Sequence, residues 1–319
     1  MTDAPSNVKD LILRSLNTDH FLGRGGSATV FALDLPGAEE DYVLRISQNG
    51  TVRDYADGVY PHNTTYSPSA RLKEKLENST SLTPVKRVLS KAHVGQPLMF
   101  LPGEISHDEV RLSIRRREKG INLVEWLVQR GEQYCSQSYE NAATLAHADL
   151  LHILNQQPEE NLRRTLHDLC LSEANSVLWD AGSPGNVMFD EEHGLSTIDH
   201  AFNDTIPQSA MRQSKADTLK EFDRDSRSLF VHLLAAKSLL DASTPENAAY
   251  YDRELQTFEA RYKAICDEIR DEVQTNSRSE LRKPAFKTIK KTEAIALDAP
   301  PATLLQALRG IESEASINR

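Results

Sequence analysis

The dominant period of the apolar residues in this chain changes near Asn122. Between residues 20 and 115 they form short β-branched or aromatic runs, or alternate with polar residues. From Asn122 onward they recur at spacings of three and four. Strands therefore come first and helices second, which predicts a two-lobe α+β layout with a hinge near 116–122 and a ligand at the lobe junction.

The strand runs are 19–23, 29–33 and 41–46, then two in 84–101 around the turn at 95–97, then 110–115. In the last, Val110, Leu112 and Ile114 alternate with Arg111, Ser113 and Arg115, the pattern of a half-buried strand. Val8, Leu11, Ile12 and Leu16 predict a short helix ahead of them. Residues 48–66 carry no period and read as a loop. Ser67-Pro68 then opens a helix to about Glu77.

The later helices are 123–130, 139–155, 158–175, 214–240 and 246–275, with one interruption at 179–204. The last presents Tyr251, Leu255, Phe258, Tyr262, Ile265 and Ile269 as one apolar seam, which docks on its own domain or on another chain. Beyond 282 a basic and Ala/Pro-rich tail ends in a short helix at about 301–312. The division expected is 1–19 extension, 20–118 N-lobe, 119–245 C-lobe and 246–319 long helix and tail.

Composition narrows the partners. A net charge of −10 argues against broad nucleic-acid binding, and the basic residues Arg282, Lys283, Lys287, Lys290 and Lys291 read as a solvated tail. No apolar run reaches the ~18 residues a membrane span needs. Residues 1–17 lack the layout of a cleaved signal peptide, so a cytoplasmic location is expected. Cys135, Cys170 and Cys266 are too dispersed for a zinc pattern or a disulfide framework.

Three constellations carry chemistry. The first runs from Leu22 to Val30, with Gly23, Gly25 and Gly26 followed by Ser27 and Ala28. It lies between two strands, whereas a dinucleotide or Walker loop opens a helix. A glycine hairpin between strands lays backbone N–H groups over nucleotide phosphates, because any Cβ would hold the backbone away from the anion. A plain turn reads equally well. The second is Arg45 among Tyr42, Val43, Leu44 and Ile46. A cation on a buried strand calls for phosphate or a carboxylate, here Glu74 or Glu77, unless it reaches solvent. The third is 179–200, a hairpin inside helical sequence. It sets Asn186 at the start of one strand and Asp199 at the end of its neighbour. Two oxygen donors on paired strand ends suit Mg²⁺ with phosphate and water.

Together these motifs resemble the protein-kinase superfamily over about 20–240. Gly23, Gly25, Ala28 and Val30 match its glycine-rich loop, with alanine in the third glycine position. Val30 to Arg45 is 15 residues, the family's step to the phosphate-binding lysine. Asn186 to Asp199 is 13, its step between metal-binding residues. The sequence is most similar to short bacterial type III effector Ser/Thr kinases, with aminoglycoside and macrolide phosphotransferases second.

The resemblance implies a bilobal kinase-like fold, ATP and Mg²⁺ as cofactors, and transfer of the γ-phosphate to a protein Ser/Thr hydroxyl of a host or regulatory protein. It also implies delivery into a host cell by type III secretion. Gly23 to Val30, Arg45 and Glu74 or Glu77 would hold nucleotide, Asn186 and Asp199 metal, and Asp180 the acceptor hydroxyl. Arg45 replaces the family's lysine. Its catalytic Asp lies five residues before the metal Asn, where this chain has Ala181; Asp180 is six before. Either the loop holds one extra residue and Asp180 is the base, or the base is missing. The alternatives are a pseudokinase interaction module, a small-molecule phosphotransferase, and a transferase of AMP or glutamate on the same fold.

Overall fold

The structure is a computed structural model that describes residues 4–24, 28–39, 41–48, 75–84, 87–89, 97–101, 110–117, 119–174, 177–179, 181–198, 200–202, 214–276, 286–288 and 293–316. Its elements begin with helix α1 (Val8–Ser15) and strands β1 (Phe21–Arg24), β2 (Ala28–Leu33) and β3 (Tyr42–Gln48). Then come β4 (Ser81–Pro84), β5 (Arg87–Leu89), β6 (Pro97–Phe100), β7 (Val110–Arg116) and β8 (Ile121–Asn122). Helices α2 (Leu123–Glu132), α3 (Tyr139–Gln156) and α4 (Glu159–Ala174) precede β9 (Val177–Trp179), β10 (Val187–Asp190), β11 (Gly194–Thr197) and β12 (His200–Phe202). Last come α5 (Lys215–Leu233), α6 (Lys237–Ala242), α7 (Pro245–Thr275), β13 (Phe286–Thr288), β14 (Ile295–Ala296) and α8 (Pro301–Ser316). The α+β class read from the sequence, strands first and a larger helical part after, is what the chain adopts.

The chain divides into two compact units, residues 1–117 with 286–319, and residues 118–285. The first is an antiparallel sheet ordered β1-β2-β3-β7-β6-β4-β14. Alternate residues of its strands point to one face. Phe31, Leu44 and Ile114 form one fully buried cross-strand row there. Against that face pack Val8, Leu11 and Ile12 of α1 and Leu304, Leu308 and Ile311 of α8. The N-terminus of α1 shows why the two helices belong together. Asn7 caps it by accepting from the Asp10 N–H at 2.8 Å. The remaining first-turn donors, Val8 and Lys9 N–H, bond to the carbonyls of Ala299 and Leu297 at 2.9 and 2.8 Å. Composition reads the stretch beyond 282 as an appended tail; its described residues, 286–288 and 293–316, pair and pack with the first unit. β13 pairs with β5 and β14 with β4, so Lys287 lies in a strand opposite Val88.

Among its described residues the second unit is helical with two small sheets, β11-β10-β8 and β12-β9. Ser138, Ser214 and Thr244 cap α3, α5 and α7, and Ser214 with Asp217 forms a capping box. The seam of α7 docks on its own unit: Tyr251, Phe258, Tyr262, Ile265 and Ile269 are all buried in its core. Buried Asp149 on α3 ties in α2 and α7, accepting from Arg130 Nε at 2.7 Å, from the Tyr134 hydroxyl and from the Tyr250 hydroxyl at 3.2 Å. Burial and that carboxylate push both tyrosines up to about 12.

The helix expected over 214–240 breaks after Leu233 instead. Its freed backbone groups are taken up from elsewhere. His147 Nδ1–H donates to the Leu233 carbonyl at 3.0 Å, and Ala235 N–H donates to the Tyr251 hydroxyl at 3.1 Å. No described helix is long and apolar enough to cross a membrane.

Candidate active site

The glycine-rich segment spans the β1–β2 connection. Gly23 stands opposite Val30, Val30 opposite Arg45, and Arg45 opposite Ser113. Directly opposed residues of antiparallel strands share a face, so these four form one row. The adjacent row, Phe31, Leu44 and Ile114, is buried under α1 and α8, and the Gly23 row therefore points away from that core. A Cβ placed on Gly23 would meet no atom of the described residues within 4 Å. Among the described residues no packing demands glycine there, which is the condition for a backbone left open to a bulky anion. Ala28 opens β2 opposite Ser47. Gly25, Gly26 and Ser27 lie outside the described residues.

Arg45 is half-buried between the fully buried Leu44 and Ile46. Of its two carboxylate candidates, Glu77 is exposed on a helical turn at 75–78, and Glu74 lies outside the described residues.

The third constellation is held by main-chain hydrogen bonds. β10 and β11 pair from Val187 opposite Thr197 to Asp190 opposite Gly194. At the turn, Asp190 accepts the N–H groups of Glu192 and His193 at 3.0 and 2.7 Å. Burial raises this carboxyl, but those donors and the His193 ring outweigh it and hold it below the usual carboxylate range.

At the other end a short 3₁₀ turn, Pro184–Asn186, leads into β10. Asn186 N–H donates to Ser183 O at 3.0 Å, and its carbonyl accepts from Ile198 N–H at 2.9 Å. Trp179 of β9 stands opposite His200 of β12. Asp180 and Asp199 themselves lie outside the described residues, but their neighbours Trp179, Ala181, Ile198 and His200 are all placed.

Ala181 is fixed from both sides. Its N–H donates to Trp179 O at 2.9 Å, and its carbonyl accepts from His232 Nε2–H of α5 at 2.7 Å. Its methyl packs against the apolar core of the second unit. Asn122, directly before α2, donates Nδ2–H to the Gly185 carbonyl at 2.6 Å and accepts from Val124 N–H at 2.9 Å.

Sequence reasoning missed Asn122 and His232. Asn122 carries a readable cap signal ahead of Leu123, but nothing in sequence ties it to Gly185. His232 lies two helical turns after Asp225, on the same face of α5. Asp225 is fully buried, takes Arg224 Nε at 2.8 Å, and its Oδ2 finds no hydrogen-bond partner among the described residues.

Among the described residues no group of three or more His, Cys, Asp or Glu is placed to hold a metal. A 450 Å³ cavity lined by Ile121, Trp126, Arg130, Phe189 and Glu191 sits at the turn end of the hairpin, opposite the Asn186 end.

No protein-family model and no curated protein matches the sequence. Among solved structures the chain is similar to one described as "ROP18 kinase domain in complex with AMP-PNP and sucrose", at 12% identity over 80% of each chain, with a TM-score of 0.31.

Proposed function

We propose that this chain is a kinase-like phosphotransferase, with ATP as phosphoryl donor and a protein Ser or Thr hydroxyl as acceptor. The observation that carries this is the main-chain register around Asn186. The Asn186–Ile198 hydrogen bond ties Asn186 to the residue before position 199, and the Trp179–His200 pair ties the residue before position 180 to the residue after position 199. Those are the positions to which the kinase resemblance gives acceptor orientation and metal binding.

The residues fit the groups they would hold. Asn186 offers an amide oxygen, and Asp199 a carboxylate, which are the hard donors Mg²⁺ takes alongside phosphate. Bound there, Mg²⁺ would neutralise charge on the β- and γ-phosphates. The Gly23 row leaves an uncrowded backbone beside the Arg45 cation. Glu74 or Glu77 is the carboxylate proposed to pair with Arg45; an ion pair to Glu77, which is exposed, would be weakened by solvent to about 0–1 kcal/mol.

Asp180 orients the acceptor hydroxyl. Its oxygen bonds to the γ-phosphorus as the bond to the bridging oxygen of ADP breaks, and the hydroxyl proton passes to the Asp180 carboxylate. The packing of Ala181 favours this assignment. A carboxylate at 181 would sit against apolar side chains at a desolvation cost, whereas an extra loop residue frees Asp180 for the role.

The departures at Arg45 and Ala181 favour one second reading, a pseudokinase that binds nucleotide or a partner without turnover. Incubation of the full chain with γ-labelled ATP and Mg²⁺ separates the two. Label in the chain or in a generic protein acceptor supports transfer. A nucleotide-dependent thermal shift without label supports the second reading.

A further inference from the structure

Asn122 makes two hydrogen bonds that belong to different parts of the second unit. Its side-chain oxygen caps α2 through Val124 N–H, and its side-chain nitrogen donates to the Gly185 carbonyl at 2.6 Å. Its main chain is also paired with Met188 of β10. The same residue thus grips the chain on both sides of Asn186. At the far end of this loop His232 holds the Ala181 carbonyl at 2.7 Å. Between the two grips lie only Gly182, Ser183 and Pro184. The fit at Gly185 is close: a Cβ there would stand 3.3 Å from Ser183 Oγ and 3.7 Å from Asn122 Nδ2.

We infer that Asn122 is a positioning residue for the metal ligand Asn186, clamping the 181–186 loop against the start of α2 with His232 as the opposite anchor. The inference rests on the reading of Asn186 given above. Its physical basis is that a short turn with few internal hydrogen bonds samples several side-chain directions unless its carbonyls are held from outside. Groups that orient a metal ligand without touching the metal typically contribute about 10–100-fold to metal affinity.

Asn122→Asp separates this role from the capping role. Aspartate keeps the acceptor for Val124 N–H and is as good an N-cap. It loses the donor and sets a carboxylate oxygen against the Gly185 carbonyl. Asn122→Ser, which caps but cannot reach Gly185, repeats the test without the added charge.

Amide hydrogen exchange and Mg²⁺-dependent ATP-analogue binding are measured on the full chain. In both variants, exchange at residues 185–187 accelerates about tenfold or more while α2 stays protected, and half-saturating Mg²⁺ rises by about tenfold. Unchanged exchange at 185–187 overturns the clamp, whatever the chain binds. Faster exchange with unchanged Mg²⁺ half-saturation overturns the positioning role. A wild-type chain that binds no Mg²⁺-nucleotide sinks the reading of the site, and with it the role assigned to Asn122. That failure shows in the parent protein, whereas failure of the clamp shows only in the variants.

Discussion

Asn186 and Ile198 are joined by a main-chain hydrogen bond of 2.9 Å that runs one step beyond the last paired residues of β10 and β11. It carries the hairpin ladder up to the residue before Asp199. Ile198→Pro deletes this donor, and Ile198→Val keeps it. One net hydrogen bond contributes about 1 kcal/mol, so the proline variant should stay folded with a modestly lower denaturation midpoint. Its Mg²⁺-dependent nucleotide binding should fall at least tenfold, and the valine variant should bind like the parent.

Gly120 marks the first turn of chain in the second unit and cannot carry a side chain. Its φ is +82°, and a Cβ there would lie 2.1 Å from the Phe189 carbonyl oxygen. Both the left-handed backbone and the clash penalise alanine. Gly120→Ala should lose at least ~2 kcal/mol in urea unfolding. Gly310 is the control. It lies inside α8 with nothing within 4 Å of an added Cβ, so Gly310→Ala should gain about 0.5–1 kcal/mol.

Phe258 tests the seam of α7. It is fully buried, stacked on Phe230 at 6.0 Å and tilted against Tyr262 at 5.6 Å. Phe258→Ala should lose about 3–5 kcal/mol of stability. Light scattering should show the same mass for parent and variant at sub-denaturing temperature, because the seam is spent inside the unit. A parent that dissociates on this substitution would contradict that placement.

His147 gives a pH signature. Burial lowers its pKa, and the hydrogen bond to the Leu233 carbonyl offsets this only in part. The folded state therefore favours the neutral ring, while the unfolded chain protonates near the ordinary value of about 6.5. Its contribution is full above that value and is lost as pH falls toward the folded pKa. Thermal midpoints of the parent should decline from pH 7 to 5.5, and His147→Gln should show a shallower slope. Equal slopes would rule the assignment out.

The period change near residue 116 was legible because burial of one strand face or one helix stripe imposes it directly. So was the seam of Tyr251, Phe258 and Tyr262, and so was the hairpin around Gly194, where a turn glycine separates two short apolar runs. The placement of 286–288 and 293–316 was not. Two short strands, Phe286–Thr288 and Ile295–Ala296, form because β5 and β4 offer unpaired edges far away in sequence. Helix α8 shows an apolar stripe, but a stripe does not name the surface that covers it. The break after Leu233 was hidden for the same reason, since its acceptors and donors, His147 and Tyr251, come from other helices. Around the candidate site, the spacing of Gly23, Arg45, Asn186 and Asp199 was open to reading. The grips of Asn122 and His232 on main-chain carbonyls were not, because a carbonyl leaves no mark in the sequence.

The proposed transfer of the γ-phosphate of ATP can be measured directly. The direct measurement is Mg²⁺-dependent incorporation of labelled γ-phosphate by the full chain, beside Asp180→Ala, Asn186→Ala and Asp199→Ala. Label that depends on Mg²⁺ and falls at least a hundredfold in each variant is the result predicted. Absence of label in the parent, or label that persists unchanged without Asp180 or Asp199, would contradict it.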